Sequence, residues 1–168
     1  DARVGLGELS KELADHKSSA SIDGLKEDWF AKVDPLTDAP SDSNALATDM
    51  QVIGAVQRSA GDNSVVMCAA GTMPGELHKL WKANRPMSYH MEYGFSCMGY
   101  EIAGAMGIKM AEPERDVLCF TGDGTYMMAN SEMATAAMMG VSFTLIVSDN
   151  GGLVCIKHLQ MGTSGAEC

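Results

Sequence analysis

Apolar residues in this chain fall into short runs separated by glycines and polar clusters. The run 117–120 (VLCF) breaks at Gly122, Asp123 and Gly124. A helical pattern then spans about 130–139 and is punctuated by Gly140. A second apolar run, 141–147, ends at Asp149, Asn150, Gly151 and Gly152. This order predicts strand, glycine turn, helix, strand. A crossover of that kind makes the two strands parallel. Ligands of open α/β sheets sit beyond the carboxyl ends of the strands. Asp123 and Asn150 are therefore expected at one sheet edge.

The remaining patterns extend the same architecture. In residues 1–18, Leu6, Leu9 and Leu13 share one helical face. Residues 19–46 read as a linker, with Ser18, Ser19 and Ser21 at its start and Pro35, Pro40 and the SDSN stretch at 41–44 further on. Trp29 and Phe30 interrupt its polarity and suggest an anchored helical turn. Thr48 and Gln51 form a candidate capping box before Val52, Ile53 and Val56, in a helix expected to end near Gly61. Residues 64–69 (SVVMCA) predict a buried strand. It stops at a second glycine turn, 71–75, before a short helix at 76–82 and a third strand at 87–91. Gly99, Ala103 and Gly107 recur every fourth residue and predict a helix packed closely on another backbone. Glu101 and Lys109 interrupt that stripe, so it is not a membrane motif. Residues 111–116 form a charged turn, 153–156 begin a short strand or helix, and 158–168 carry no strong pattern. The fold class is α/β: a doubly wound, mostly parallel sheet with helices on both faces. More sheet would be expected beyond this point, so the sequence reads as an excerpt cut at both ends.

Composition narrows the partners. The 168 residues suffice for one domain with a sizeable core, and 46% of them are hydrophobic. A net charge of −10 argues against nucleic acid and anionic membranes. No apolar run approaches a membrane span, and no basic-then-apolar start suggests a signal peptide. The five cysteines, at 68, 97, 119, 155 and 168, include no CxxC pair. Cys68, Cys119 and Cys155 sit in strand-like apolar segments, which favours reduced core thiols of a cytoplasmic protein. The fourteen methionines read as soft core filler.

The chemistry concentrates at the two glycine-rich strand ends. Two oxygen side chains, Asp123 and Asn150, suit a hard cation such as Mg²⁺, which takes few protein ligands and completes its shell with phosphate oxygens and water. Gly124 leaves room for a phosphate to approach the backbone. Thr125 offers a hydroxyl. The element reads as a Mg²⁺-diphosphate clamp. The plainer alternative is an ordinary βαβ unit with Asp123 as a solvated turn residue.

Gly122, Asp123 and Gly124, followed after twenty-four residues by Asp149 and Asn150, resemble the signature of thiamine-diphosphate enzymes. The family usually has two asparagines; here the first is Asp149. The resemblance implies thiamine diphosphate and Mg²⁺ as cofactors, with Asp123, Asn150 and the Gly152 carbonyl on the metal. Gly124 and Thr125 fall in the same cofactor-binding segment. It implies that Gly71 and Thr72 contact the diphosphate, that the Ser96 carbonyl receives the aminopyrimidine amine, and that Met98 supports the bent cofactor. His90 and Glu92 lie near the same edge, with a hydrogen-bonded structural role the preferred reading for His90.

The resemblance covers about 47–160, the diphosphate domain. Residues 1–18 resemble the tail of a middle domain and 19–46 its linker, with 47–168 as the cofactor-binding domain. Segments 71–81, 89–111 and 122–132 look most like the trihydroxycyclohexane-dione hydrolases of myo-inositol catabolism. These open a cyclic 1,2-dione to a deoxyglucuronic acid by C–C cleavage. Acetolactate-synthase-like 2-oxoacid enzymes are the runner-up. The family's activating glutamate belongs to a pyrimidine-binding domain, usually given by a second subunit, and no residue here matches it. The resemblance thus implies no catalytic residue in this chain, an inactive chain by itself, and at least a homodimer for the intact enzyme. Against a Mg²⁺-nucleotide module counts the lack of a GxGxxG or GxxxxGK[ST] sequence, and a structural α/β domain with an unused site fits the joint presence of Asp123, Gly124 and Asn150 less well.

Overall fold

The computed structural model describes residues 1–17, 23–42 and 44–165. The expected serine-rich start of the linker at 18–21, Ser43 of the SDSN stretch and Cys168 lie outside the described residues. The chain divides into two compact units, Asp1–Lys32 and Val33–Cys168. In the first, helix α1 (Ala2–Glu12) starts at Asp1, whose side chain accepts from the Arg3 amide, and carries a Glu8–Lys11 pair. Helix α2 (Leu25–Val33) contains Trp29 and Phe30.

The second unit is an α/β domain. After a 3₁₀ turn (Asp34–Thr37) come α3 (Asp49–Ser59), β1 (Ser64–Cys68), α4 (Thr72–Leu80), β2 (Tyr89–Met91), α5 (Tyr100–Ala111), β3 (Asp116–Gly122), α6 (Asp123–Ala129), α7 (Ser131–Met138), β4 (Thr144–Ser148) and α8 (Val154–Ser164). The strands form one parallel sheet in the order β2-β1-β3-β4. From β1 the chain moves outward to β2, then returns past β1 to β3. The winding direction therefore reverses between β1 and β3, where open α/β sheets place their ligands.

Alternation along the strands sorts the two faces. Met67, Val117 and Cys119 pack with Ile102 and Ala105 of α5, and Tyr126, Met133 and Leu145 close this cluster. On the other face, the Trp81 ring meets Phe120 edge-on at 6.0 Å, and Ile53, Leu77 and Leu80 are buried. All five β1 residues are buried, as expected for a parallel strand covered on both sides. The Thr48–Gln51 capping box forms as expected. At the amino ends of the strands, buried Arg115 donates to the carbonyls of Asn63, Ser64 and Met87 and to Glu112.

Several elements differ from expectation. The helix expected at 130–139 is two helices, and the first begins at Asp123, directly after β3. Gly124 and Thr125 are weak helix formers, but the buried Thr125 shows tertiary packing overriding propensity. Only Gly71 remains of the second glycine turn, because α4 starts at Thr72. Pro74 sits in the first turn, where its missing N–H would have no intrahelical partner. Gly99 precedes α5 instead of lying within it, and Ala103 and Gly107 are exposed. The close approach is at Gly104, where a Cβ would lie 2.8 Å from Met67 Cε. β4 is shorter than the 141–147 run. Cys155 lies in helix α8, which extends over most of the stretch that showed no pattern.

Candidate functional site

At the carboxyl ends of β1, β3 and β4 lies a cavity of about 230 Å³. Gly71, Thr72, Ser96, Met98, Gly124, Thr125, Asn150 and Gly152 all line it. Asp123 joins them through its carboxylate. The Asn150 amide lies 3.3 Å from Asp123 Oδ1 and 2.9 Å from the Gly152 carbonyl oxygen, and with its NH₂ turned toward them it donates to both. A carboxylate and a carbonyl from two loops thus meet one amide. An oxygen facing only acceptors is unfavourable unless a cation sits among them or the amide turns to donate to both. Among the described residues no three His, Cys, Asp or Glu side chains gather to bind a metal. A cation here would rely on one carboxylate, one amide and one carbonyl, a donor set for a hard ion.

Two helices open on the cavity with their N-termini. α4 follows β1 and α8 follows β4. Neither has a side-chain cap at its N-terminus or an acidic residue in its first turn. At α4 the first amides and the positive dipole end are left for a ligand, whereas at α8 the Val154 amide already donates to the Gly152 carbonyl. Gly71 makes this possible at β1: its φ of 138° is available to glycine and strained for other residues. The absence of a side chain at Gly124 also serves packing. A Cβ there would meet the Leu153 side chain and lie 3.5 Å from the Gly152 carbonyl carbon, so its absence lets the 150–153 loop close over α6.

The opposite wall is the 92–98 loop. Glu92 accepts from the amides of Phe95 (3.0 Å) and Cys97 (2.6 Å). These bonds, Phe95 first, hold its carboxyl below the ordinary carboxylate range. Between them Ser96 takes a left-handed φ of 56°, a conformation that a non-glycine residue holds only under constraint. Glu92 therefore shapes the loop. His90 is not among the lining residues, and its buried Nε2 has no hydrogen-bond partner among the described residues, contrary to the hydrogen-bonded role expected for it.

Sequence reasoning missed the apolar side of the cavity, formed by Tyr93, Leu153, Ile156 and Leu159. The spacing of Leu153, Ile156 and Leu159 was its only signal. It also missed Glu101, which is fully buried between α5 and β3. The thiols of the described residues are free: Cys68 and Cys119 are buried and Cys97 is exposed. Burial pushes the Cys68 thiol up to about 11 despite its contact with Tyr89, and raises Cys119 and Tyr89 as well. Among the described residues, no helix is long and apolar enough to cross a membrane.

Comparison with known proteins shows the family. The family described as thiamine pyrophosphate enzyme, C-terminal TPP binding domain, matches residues 69–167. A 3D-(3,5/4)-trihydroxycyclohexane-1,2-dione hydrolase of Shouchella clausii is 36% identical over 98% of this chain and 30% of its own length. Its namesake in Bacillus subtilis is 36% identical over 96% of the chain and 29% of its length. That of Bacillus thuringiensis reaches 44% identity over 68% of the chain and 18% of its length. The chain thus spans about 30% of the first of these relatives. Among solved structures, the thiamine diphosphate-dependent 4-hydroxybenzoylformate decarboxylase of Rhodococcus jostii superposes with a TM-score of 0.70 at 18% identity, over 78% of this chain and 25% of that one. This likeness speaks to the fold alone.

Proposed function

Because the chain belongs to the family of C-terminal TPP-binding domains of thiamine pyrophosphate enzymes, we propose that the cavity holds the diphosphate end of thiamine diphosphate through Mg²⁺. We propose further that the intact protein is a hydrolase opening trihydroxycyclohexane-1,2-dione. The observation that carries the cofactor reading is the meeting of the Asp123 carboxylate, the Asn150 amide and the Gly152 carbonyl beside the N-terminus of α4, which has no side-chain cap.

In this reading Asp123, Asn150 and Gly152 hold the ion, and the ion neutralises diphosphate oxygens. Gly71 and Thr72, at the start of α4, bind the diphosphate together with Gly124 and Thr125. Ser96 and Met98, across the cavity, orient the aminopyrimidine and thiazolium rings. Tyr93, Leu153 and Ile156 keep water from the apolar part of the cavity. When bound, thiamine diphosphate supplies a thiazolium carbon that adds to a carbonyl and takes up the charge released by C–C cleavage. The glutamate that activates it comes from a pyrimidine-binding domain of a second subunit, so the working unit is at least a dimer. The hydrolase assignment is supported by the names of the relatives, and a cytoplasmic location by the free thiols.

Calorimetry on the 168-residue chain tests the cofactor reading. Thiamine diphosphate should bind only with Mg²⁺, and Asp123→Ala should abolish the metal dependence. Tighter binding of ADP than of thiamine diphosphate, or binding indifferent to Mg²⁺, would overturn it.

A further inference from the structure

Glu101 lies in the first turn of α5 and is fully buried. Its carboxyl works in two directions. Oε1 accepts from the Thr121 hydroxyl at 2.6 Å, and Oε2 accepts from the Gly99 amide at 3.1 Å. None of the ion pairs among the described residues involves it. Burying a carboxyl without a cation is unfavourable, and an apolar residue of similar volume is often as stable in such a place. What a carboxyl adds is direction: it fixes two donors from two elements at one distance.

Those two elements are the two walls of the cavity. Thr121 is in β3, flanked by β1 and β4, two residues before Asp123. Gly99 ends the loop that carries Ser96 and Met98. It is left-handed, and a Cβ on it would lie 3.4 Å from Ala129 Cβ, so it sits against the end of α6. The strand is held by its ladders whatever Glu101 does. The loop has the Glu92 bonds within it and the Glu101 bond at its end.

We propose that Glu101 is a positioning residue: it fastens the Ser96–Met98 loop to the strand that presents Asp123 and so sets the distance between the ring-binding and diphosphate-binding walls. This rests on the cofactor reading above. Glu101 does not line the cavity and acts through Gly99 and Thr121. Free diphosphate engages only the strand-end wall, whereas thiamine diphosphate needs both.

The test uses the 168-residue chain, E101Q, T121V and T121S. E101Q removes one of the two acceptors, so either the Gly99 amide goes unpaired or the Thr121 hydroxyl must turn to accept from the new NH₂; T121V loses the hydroxyl and T121S keeps it. Without ligand, hydrogen exchange over 92–99 should quicken about tenfold in E101Q, the scale expected for one charge-assisted bond, while 64–68 and 116–122 stay unchanged. With Mg²⁺, thiamine diphosphate affinity should fall about tenfold in E101Q while diphosphate affinity changes less than about twofold. T121V should follow E101Q, and T121S should restore wild-type behaviour. T121V carries the test if E101Q does not fold. Unchanged loop exchange, or equal loss for both ligands, would overturn the proposal. If the wild type binds neither ligand, the cofactor reading falls and the exchange measurement alone decides whether Glu101 anchors the loop.

Discussion

The Ser148 hydroxyl donates a 2.5 Å hydrogen bond to Asp49 Oδ1, joining residues 99 positions apart. Asp49 is the first residue of α3 and Ser148 the last of β4, two positions before Asn150. The bond ties the loop holding the proposed metal ligands to a capped helix on the neighbouring layer. Asp49→Ala and Ser148→Ala should each weaken Mg²⁺-dependent binding. A double-mutant cycle on unfolding free energy should give a coupling of about 1 kcal/mol. Strict additivity would mean that the bond does not form in solution.

The opposite end of the sheet depends on Arg115. Its guanidinium serves three strand-end carbonyls and Glu112 from a position 7% exposed. Arg115→Ala should destabilise the domain by about 3–5 kcal/mol, because the lost donors leave buried acceptors unpaired. Arg115→Lys should recover only part, since an ammonium cannot reproduce the planar fork. Urea unfolding at constant m-value measures both.

Acid should loosen the 92–98 loop in a defined way. The carboxyl of Glu92 is held low by the Phe95 and Cys97 amides. An unfolded Glu takes up its proton near pH ~4.3, so the contribution is complete above that value. It is lost as pH falls through the lower folded value, because protonation then favours the open loop. The Phe95 and Cys97 amide shifts should move together below the ordinary carboxylate range, and Glu92→Gln should flatten both curves. Titration at an unperturbed value would refute the arrangement.

Thiol reactivity should follow burial. Cys97 is exposed, whereas Cys68 is buried with its pKa pushed up to about 11 and Cys119 is raised further. Raised values leave almost no thiolate at pH 8. Brief alkylation at that pH should mark Cys97 and spare Cys68 and Cys119 until the chain is unfolded, as read by peptide mass mapping.

Local signals made the fold's centre legible. β1 and β3 are continuous apolar runs, and the Thr48–Gln51 box named its own helix. The strand-end signature found Asp123 and Asn150, because a parallel crossover fixes their edge without side-chain detail. What the sequence hid depends on tertiary contact. Helix α6 begins at a glycine-rich stretch that propensity assigns to a turn, and burial of Thr125 decides otherwise. The small-residue stripe was offset because α5 starts at Tyr100, which turns Ala103 and Gly107 outward and brings Gly104 onto Met67. Glu101 read as an interruption of an apolar helix, and only Thr121, twenty residues on, shows what it holds.

The Asn150 amide can satisfy its own nest. Rotated by half a turn, its NH₂ donates to both Asp123 and Gly152, a self-made plug that keeps the 149–152 loop closed when no ion is bound. On the proposed metal reading, a cation would have to displace that NH₂ and turn the amide oxygen inward. On that reading, the affinity for the ion is the difference between two occupants, one permanent and one borrowed. Asn150→Asp, which cannot plug the nest, should hold the ion more tightly and the unloaded loop less well.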